Sequence, residues 1–251
     1  MFSFITNSNW YSVFNYFYNA STKSNGYIEF IGAAFKFNPL TDCCMSLESQ
    51  VFDVKKAAKM YNWYKKADKF DASIIDYFDE YKKCIDEEHN YFNSNYGLYA
   101  YAQGGINHCI ETLKENQESR QACFCINSND TMLSKKEIDK LCTNTIHYLI
   151  RDGKLIMTVQ MRSSNFLKLL PYDAFMFSVF YFDVYKALVK HGIKLDIGCV
   201  VMQIASLHTY IDDIKELQAN SHFTELNRLE INLLLDSEEK ITKYLTNLLK
   251  D

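Results

Sequence analysis

Residues 142–163 read CTNTIHYLIRDGKLIMTVQMRS and contain the clearest folding signal in the chain. Asp152-Gly153 is typical of a two-residue hairpin turn, and the segments on both sides are rich in Ile, Val, Leu, Tyr and Thr. A turn centred there places Cys142 opposite Ser163 and beside Arg162. Because opposed residues in antiparallel strands have Cβ atoms about 4.5–5.5 Å apart, we expect these three side chains to meet at the open end of the hairpin.

This grouping indicates a reactive site. A cation beside a thiol can lower the thiol pKa, and an arginine next to a hydroxyl provides a seat for phosphate. A Cys considered alone is most often a small buried hydrophobic residue. The predicted pairing of Cys142 with Arg162 instead favours a nucleophile that acts on an anionic ligand.

Length and composition predict one compact domain over residues 1–251, since 48% of the residues are hydrophobic and only 2 are proline. The net charge of −4 offers no basic surface for polymeric nucleic acid. The apolar stretches 174–182 and 197–205 are shorter than the ~20 residues that span a bilayer, and the N terminus lacks the basic start of a secretory signal. We therefore expect a cytoplasmic protein with neither a membrane nor polymeric nucleic acid as partner.

Eight cysteines in such a chain predict reduced thiols rather than a disulfide framework. Cys43-Cys44 and Cys123-x-Cys125 are the only closely spaced pairs. Neither has a second pair at zinc-finger spacing, so we expect no metal site.

Hydrophobic periodicity predicts strands and helices in irregular order. Strands are expected over 27–35, 122–126 and 198–204, and helices over 54–68, 106–114, 172–190 and 225–250. Ser134 followed by Glu137 resembles a capping box, which predicts a short helix before Cys142. Because the elements do not alternate as βαβ units, the pattern predicts an α+β fold.

Several stretches resemble the thymidylate synthase superfamily, and more specifically its T-even-phage deoxycytidylate (dCMP) hydroxymethylases. The stretches are EFIGAAF (29–35), NSNYG (93–97), LCTNT (141–145), MRS (161–163) and SLHTY (206–210). The similarity covers about residues 27–212. It implies a thymidylate-synthase-type fold, with a mixed twisted sheet, helices packed on one face, and a homodimer that forms through the sheet and shares its active sites.

The resemblance also implies roles for individual residues. Cys142 would add to C6 of a pyrimidine, and Tyr96 would line the same pocket. Asp173 would select cytosine, because a carboxylate accepts a hydrogen bond from the 4-amino group whereas an amide matches uracil. An N-cap for the long apolar helix is the alternative role for Asp173. The phosphate and sugar would be bound by Arg162, Ser163, Lys23, His208, Tyr210 and, from the second subunit, Arg120.

The chain departs from the family at four positions, mainly on the side of the one-carbon donor. Met60 stands where the family has a catalytic Glu three residues before Trp63. Asn165 replaces the Asp that binds the folate pterin, and Leu169 replaces the Gly that leaves room for the folate ring. Gln121 replaces the second Arg of a phosphate-binding pair.

Three functions fit these residues. The first is dCMP hydroxymethylation for phage modified-base synthesis, with 5,10-methylene-tetrahydrofolate as donor and the missing carboxylate supplied by Glu48, Asp53 or Asp68. The second keeps covalent nucleotide chemistry at Cys142 with another one-carbon donor or none. The third is a non-catalytic nucleotide-binding regulator or partner subunit. We take the first as the primary prediction.

Overall fold

The computed structural model describes residues 4–5, 17–19, 21–24, 26–44 and 52–219, together with positions 240 and 243. The helix predicted over 225–250 falls on a stretch of which only those last two positions are described, and Glu48 lies outside the described residues. In this part of the chain no helix is long and apolar enough to cross a membrane.

Seven strands of the described part form one mixed sheet in the order β1-β3-β7-β6-β5-β4, with β2 paired to β3. The strands are β1 (Phe4–Ile5), β2 (Thr22–Ser24), β3 (Tyr27–Phe37), β4 (Cys123–Cys125), β5 (Thr143–Arg151), β6 (Lys154–Asn165) and β7 (Asp196–Tyr210). The β1–β3 and β6–β7 pairs are parallel and the other pairs are antiparallel. The predicted strands are present, and β7 extends past the prediction to include His208 and Tyr210.

The helices include α1 (Val54–Lys66), α2 (Gly105–Glu115), α3 (Asn129–Leu133), α4 (Leu170–Lys190) and α5 (Ile211–Ala219). Two 3₁₀ segments, Ala72–Asp76 and Asp79–Cys84, and a short π-helix, Leu98–Ala102, lie between α1 and α2. The α+β class predicted from the sequence is confirmed.

Helix α4 is the centre of the hydrophobic core, as its nearly all-round apolar sequence predicts. The Tyr181 hydroxyl joins it to the sheet by donating to the Leu155 carbonyl (2.9 Å) and accepting from the Gly198 amide (2.9 Å). A Cβ at Gly198 would lie 2.1 Å from the Leu155 carbonyl oxygen, which explains glycine at this close approach. Helices α1 and α2 pack against α4, while Gln160 and Gln203 on the other face of the sheet are exposed.

The β5–β6 hairpin turns at Asp152-Gly153 as predicted. Both residues have positive φ (50° and 69°), as a two-residue type I′ turn requires. The register follows that turn from Arg151↔Lys154 as far as Thr145↔Gln160, and then shifts so that Thr143 pairs with Met161.

This shift corrects the predicted pairing of Cys142 with Ser163. A β-bulge places an extra residue, Asn144, in β5, and the Asn144 carbonyl accepts hydrogen bonds from the amides of Ile126 (2.8 Å) and Asn127 (3.2 Å). Cys142 therefore lies opposite Arg162, whose amide donates to the Cys142 carbonyl at 2.8 Å. The bulge could not be predicted because it depends on contacts with the segment after β4.

The predicted helix beginning at Ser134 is wrong. Helix α3 lies earlier, with Ser128 as its N-cap, and Ser134 is its C-cap. The Glu137 carboxylate instead accepts hydrogen bonds from the Tyr91 hydroxyl and the Asn93 side-chain amide, each at 2.8 Å. These tertiary hydrogen bonds take the place of the capping box.

Candidate active site

Cys142 lies at the start of β5, next to the loop that carries Tyr96. The Thr143 amide donates a hydrogen bond to the Tyr96 hydroxyl at 3.3 Å. The Tyr96 side chain is buried and its ring lies parallel to that of Phe177, with centroids 6.5 Å apart. The structure thus brings together the two residues that the sequence placed in one pocket.

Arg162 faces Cys142 across the bulge with its guanidinium held in a fixed plane. Nε donates to the Leu141 carbonyl and Nη2 donates to the Lys140 carbonyl, both at 2.7 Å. Among the described residues, none accepts a hydrogen bond from Nη1. The guanidinium is therefore pre-organised, and it retains donors for an anion.

The pKa of the Cys142 thiol is raised overall, although the Arg162 guanidinium lowers it as expected. Burial raises this pKa most, the Arg162 guanidinium lowers it, and the carboxyls of Asp173 and Asp139 raise it further. Since a free thiol already has a pKa of about 8.5, Cys142 is protonated at neutral pH in the ligand-free protein.

Asp173 lies inside the first turn of α4, so the alternative that it caps this helix is wrong. The N-cap position is Leu169, and the Asp173 amide already donates to the Leu169 carbonyl at 2.9 Å. The Ser164 hydroxyl lies 3.3 Å from the carboxyl, in donating geometry. Burial raises the pKa of Asp173 to about 7. Near neutral pH the carboxyl is therefore protonated in part of the molecules and ionised in the rest.

We use the name Cys142 cluster for the group formed by Cys142, Tyr96, Arg162 and Asp173. Asp173 lies close enough to raise the pKa of both the thiol and the Tyr96 hydroxyl, which links α4 to the hairpin. The cluster therefore combines a nucleophile, a cation and a carboxyl in one buried place.

Ser163 and His208 lie on the adjacent parallel strands β6 and β7. The Ser163 hydroxyl and His208 Nδ1 are 3.3 Å apart, and burial lowers the pKa of His208. The Tyr210 ring meets the His208 ring edge to face, with centroids 5.6 Å apart, and is 45% exposed. These three side chains form a polar group beside Arg162, whose charge also lowers the His208 pKa.

Two predicted phosphate ligands make no hydrogen bond or ion pair with the Cys142 cluster in the described part of the chain. Lys23 is exposed on β2, with its ammonium 5.7 Å from the centre of the Tyr18 ring. Arg120 is exposed in the loop before β4, and no described residue forms a hydrogen bond or ion pair with it. Neither of these cations bonds to Arg162 or Ser163 within the described chain.

The cofactor side of the site is the part where the family resemblance places the one-carbon donor. There, Met60 is buried in α1, one helical turn before Tyr64. The Tyr64 ring lies 5.6 Å from the Tyr96 ring, so this face of α1 borders the Cys142 cluster. Asp53 and Asp68, two of the carboxylates predicted to replace the lost Glu, have local roles instead. Asp53 caps α1 by accepting from two backbone amides, and Asp68 accepts from the Phe70 amide at 2.9 Å.

The polar atoms of the Asn165 side chain are all used in hydrogen bonds with neighbouring residues. Asn165 Oδ1 accepts from the amides of Leu167 and Lys168, each at 3.0 Å, and Nδ2 donates to Asp213 at 3.5 Å. The Lys168 ammonium bridges Asp213 (3.0 Å) and Glu80 (3.7 Å). We call this arrangement, Asn165–Lys168–Asp213–Glu80, the clasp; it joins β6, α5 and the 3₁₀ segment Asp79–Cys84.

Leu169 and Gln121, the other two positions at which the chain departs from the family, also make local contacts. Leu169 is half-buried at the N-cap of α4 and packs against the core. Gln121 is exposed; its amide donates to the Ser119 hydroxyl at 3.1 Å, and its carbonyl lies 3.3 Å from His108 Nε2.

Sequence reasoning missed two charged residues near the thiol. Asp139 is buried three positions before Cys142, a spacing that could have attracted attention. Lys83 lies on the 3₁₀ segment Asp79–Cys84, and its ammonium lowers the pKa of both Cys142 and His208. No sequence signal points to Lys83, because the segment reaches the site through the packing of Tyr81 on Trp63, with ring centroids 5.4 Å apart.

All eight cysteines are free thiols. Over the described ranges, no group of three or more His, Cys, Asp or Glu side chains is placed to hold a metal ion.

The sheet of this chain presents the Cys142 thiol opposite a fixed Arg162 guanidinium. The fold is the thymidylate-synthase type predicted from the sequence. The thymidylate synthase family model matches residues 57–249, more than half of the chain, and the chain belongs to this family. Members bind pyrimidine nucleotides, and the family comprises methyl and hydroxymethyl transferases that usually use methylenetetrahydrofolate.

Similar proteins include the deoxycytidylate 5-hydroxymethyltransferases of Enterobacteria phages T4, T2 and T6. Each is 24% identical to this chain over 157 residues, which cover 59% of this chain and 63% of the relative. The match thus spans less than two thirds of the relatives' length. The thermostable thymidylate synthase A of Bacillus subtilis has a similar structure, with a TM-score of 0.61 and 14% identity over 88% of this chain and 87% of that chain.

Proposed function

We propose that the chain binds dCMP and that Cys142 activates C5 of the base for hydroxymethyl transfer. The activity would serve the synthesis of a modified base for a phage genome. The observation that carries the proposal is the Cys142 cluster, in which a thiol, a pre-organised guanidinium and a buried carboxyl lie together. The hydroxymethyltransferase names of the phage relatives support the same assignment.

The phosphate would bind at the edge of β6. Arg162 Nη1, which has no acceptor in the described part of the chain, would donate to a phosphate oxygen, and the Ser163 hydroxyl can add a second hydrogen bond. His208 and Tyr210 would bind the deoxyribose 3′-hydroxyl. Lys23 and, across a homodimer with shared sites, Arg120 of the second subunit would complete the phosphate seat.

Asp173 would select the base. A carboxyl with a pKa of about 7 can share a proton with N3 of cytosine while accepting a hydrogen bond from the 4-amino group. Uracil presents a carbonyl oxygen at position 4, which would leave a buried carboxylate facing an acceptor. This difference favours dCMP over dUMP.

Cys142 would act as the nucleophile. The thiol gives its proton to solvent, the sulfur of the thiolate bonds to C6, and the electron pair of the C5–C6 double bond moves to C5. The positive charges of Arg162 and Lys83 favour the thiolate, whereas burial opposes it. C5 is then able to release its hydrogen or attack an electrophile.

The described residues do not offer 5,10-methylene-tetrahydrofolate the contacts that the family resemblance implies. Asn165 is engaged in the turn that follows β6 and in the clasp, Leu169 packs against the core, and Met60 has no proton to exchange. The mechanism proposed for this chain therefore ends at activated C5, with any one-carbon donor bound by other contacts.

The clasp favours a second candidate function. A homologue that uses nucleotide chemistry at Cys142 without folate, or a nucleotide-binding regulator or partner subunit, needs no open folate surface. The ion pairs of Lys168 with Asp213 and Glu80 would keep that surface closed.

One assay separates these functions. The chain is mixed with [5-³H]dCMP, with and without methylene-tetrahydrofolate, and dCMP binding, tritium release to water and hydroxymethyl product are measured. Hydroxymethyl product supports the first candidate. Tritium release without product supports folate-independent chemistry, and binding alone supports a regulator. A chain that does not bind dCMP, dUMP or CMP contradicts all three.

A further inference from the structure

The family's catalytic Glu is absent at Met60, yet a buried carboxyl lies three residues before the thiol in the chain and is hydrogen-bonded to the loop of Tyr96. Asp139 is 3% exposed, and no described Lys, Arg or His forms an ion pair with it. A buried carboxyl without a cation is costly to keep charged. Such groups have either a structural role that uses all their hydrogen bonds or a role in proton transfer.

The hydrogen bonds of Asp139 hold it against the loop of Tyr96. The Ser94 amide and the Ser94 hydroxyl both donate to Oδ2, each at 2.8 Å. The Cys84 thiol also lies near enough to favour the charged form of the carboxyl. The two shortest hydrogen bonds within the described chain thus go to Oδ2, and the Asn93 amide also lies near enough to favour the charged form of the carboxyl.

The backbone on either side ties Asp139 to the Cys142 cluster. The carbonyls of the next two residues, Lys140 and Leu141, accept from the Arg162 guanidinium. Thr143, one residue beyond Cys142, donates to the Tyr96 hydroxyl. Residues 139–143 are thus held at successive points against Ser94, Arg162 and Tyr96, so the carboxyl has a fixed place relative to the thiol.

Electrostatics support this proximity. Burial raises the pKa of Asp139 and outweighs the Ser94 hydrogen bonds, which lower it. Its negative charge in turn raises the pKa of Cys142. The carboxyl and the thiol therefore influence each other's protonation.

A second polar group at the same site lacks a partner. The Tyr64 hydroxyl is fully buried and forms no hydrogen bond with any described residue; the Tyr81 hydroxyl approaches it without good hydrogen-bond geometry. Asp173 and Asp139 both raise the Tyr64 pKa, after the larger effect of burial. A buried hydroxyl without a partner indicates a bound water or ligand atom at that position.

We propose that Asp139 is the proton-transferring carboxyl of this site, and that the Tyr64 hydroxyl positions the water through which it acts. This role rests on the proposed nucleotide chemistry at Cys142. Once sulfur is bonded to C6, the protonated carboxyl gives a proton to C5 through the water. The resulting carboxylate then takes the original C5 hydrogen as a proton, the C5–C6 double bond re-forms, and the thiolate leaves. The net change is exchange of the C5 hydrogen with water.

The test uses Asp139→Asn in the full chain. Asparagine keeps an oxygen that accepts from Ser94 but cannot transfer a proton, so dCMP affinity should stay within about threefold while tritium release falls by about 100-fold or more. Ser94→Ala is the matched control, because it removes one hydrogen bond and keeps the carboxyl; its tritium release should fall by less than about tenfold. Tyr64→Phe, which deletes only the hydroxyl, should give an intermediate loss.

The protonation of Asp139 provides a readout independent of turnover. In infrared difference spectra of the ligand-free chain, a carboxyl band that titrates above the ordinary range of Asp should be present in wild type and absent in Asp139→Asn. The inference is overturned if Asp139 titrates like an exposed Asp, or if the Asn variant releases tritium as fast as wild type. A wild-type chain that binds dCMP but releases no tritium removes both the enzymatic proposal and the role of Asp139.

Discussion

The two sides of the site are built differently. On the nucleotide side, Arg162 is held by two carbonyls at 2.7 Å, its Nη1 has no acceptor among the described residues, and Ser163 faces His208. On the cofactor side, Asn165 and Lys168 use their polar atoms on the turn, on Asp213 and on Glu80. The first arrangement leaves donors for a ligand, whereas the second satisfies its polar groups internally. Side chains that still have hydrogen-bonding capacity therefore indicate where this protein binds a ligand.

The largest expected effect comes from the nucleophile. Cys142→Ala should reduce tritium release from [5-³H]dCMP by at least about 10⁴-fold, because no other thiol is placed opposite Arg162. The dCMP affinity should remain near the wild-type value in calorimetry. Cys199→Ala, a change at a half-buried thiol on β7, serves as the control and should leave both quantities unchanged. Turnover that persists in Cys142→Ala would rule out the covalent mechanism.

The second-largest effect is expected on dCMP binding when the guanidinium of Arg162 is removed. Arg162→Gln should weaken dCMP binding by about 2–3 kcal/mol, the size of a lost charged hydrogen bond. Arg151→Gln is the matched control, since Arg151 lies at the turn end of the same hairpin, paired with Glu118 at 3.7 Å. Binding of deoxycytidine, which has no phosphate, should change little in either variant. Equal losses in the two variants would contradict a phosphate role for Arg162.

Asp173 gives a smaller effect on specificity. Asp173→Asn should shift the preference for dCMP over dUMP by about tenfold or more toward dUMP, measured as the ratio of the two dissociation constants. An unchanged ratio would show that Asp173 does not read the base.

Asp173 also makes stability depend on pH. Its pKa is about 7 in the folded chain and about 3.9 when unfolded, so the folded state binds the proton more tightly. The resulting stabilisation is complete below about pH 4 and is lost as pH rises to about 7, by up to about 4 kcal/mol. Asp173→Asn should therefore raise Tm relative to wild type more at pH 8 than at pH 5. A difference in Tm that does not change with pH would contradict the raised pKa.

The smallest effect is expected on the cofactor side. Lys168→Met removes both ion pairs of the clasp, and because Lys168 is 41% exposed the loss of stability should be below about 1 kcal/mol. Binding of dCMP should not change. A gain in methylene-tetrahydrofolate binding, measured by calorimetry, would show that the clasp closes the donor surface. No gain would mean that Leu169 and Asn165 determine its closure.

Sequence reasoning succeeded where local chemistry decides the structure. Asp152-Gly153 predicted the hairpin because only a few dipeptides adopt positive φ at two consecutive positions. The apolar sequence of 172–190 predicted a buried helix because a helix with no polar face must be covered all round. The family motifs pointed to Cys142, Tyr96, Arg162 and Asp173, which the fold brings together.

The sequence alone thus determined the hairpin and the central helix, since these follow from turn chemistry and hydrophobic pattern, while the family resemblance identified the residues of the Cys142 cluster. Only the tertiary structure decided that Cys142 faces Arg162 instead of Ser163, because the bulge at Asn144 depends on hydrogen bonds from Ile126 and Asn127. It also decided the protonation of the thiol and of Asp173, since burial changes a pKa by an amount that no local spacing reveals. For the same reason Asp139 emerged only in three dimensions: its burial and its bonds to Ser94 come from segments far apart in the chain.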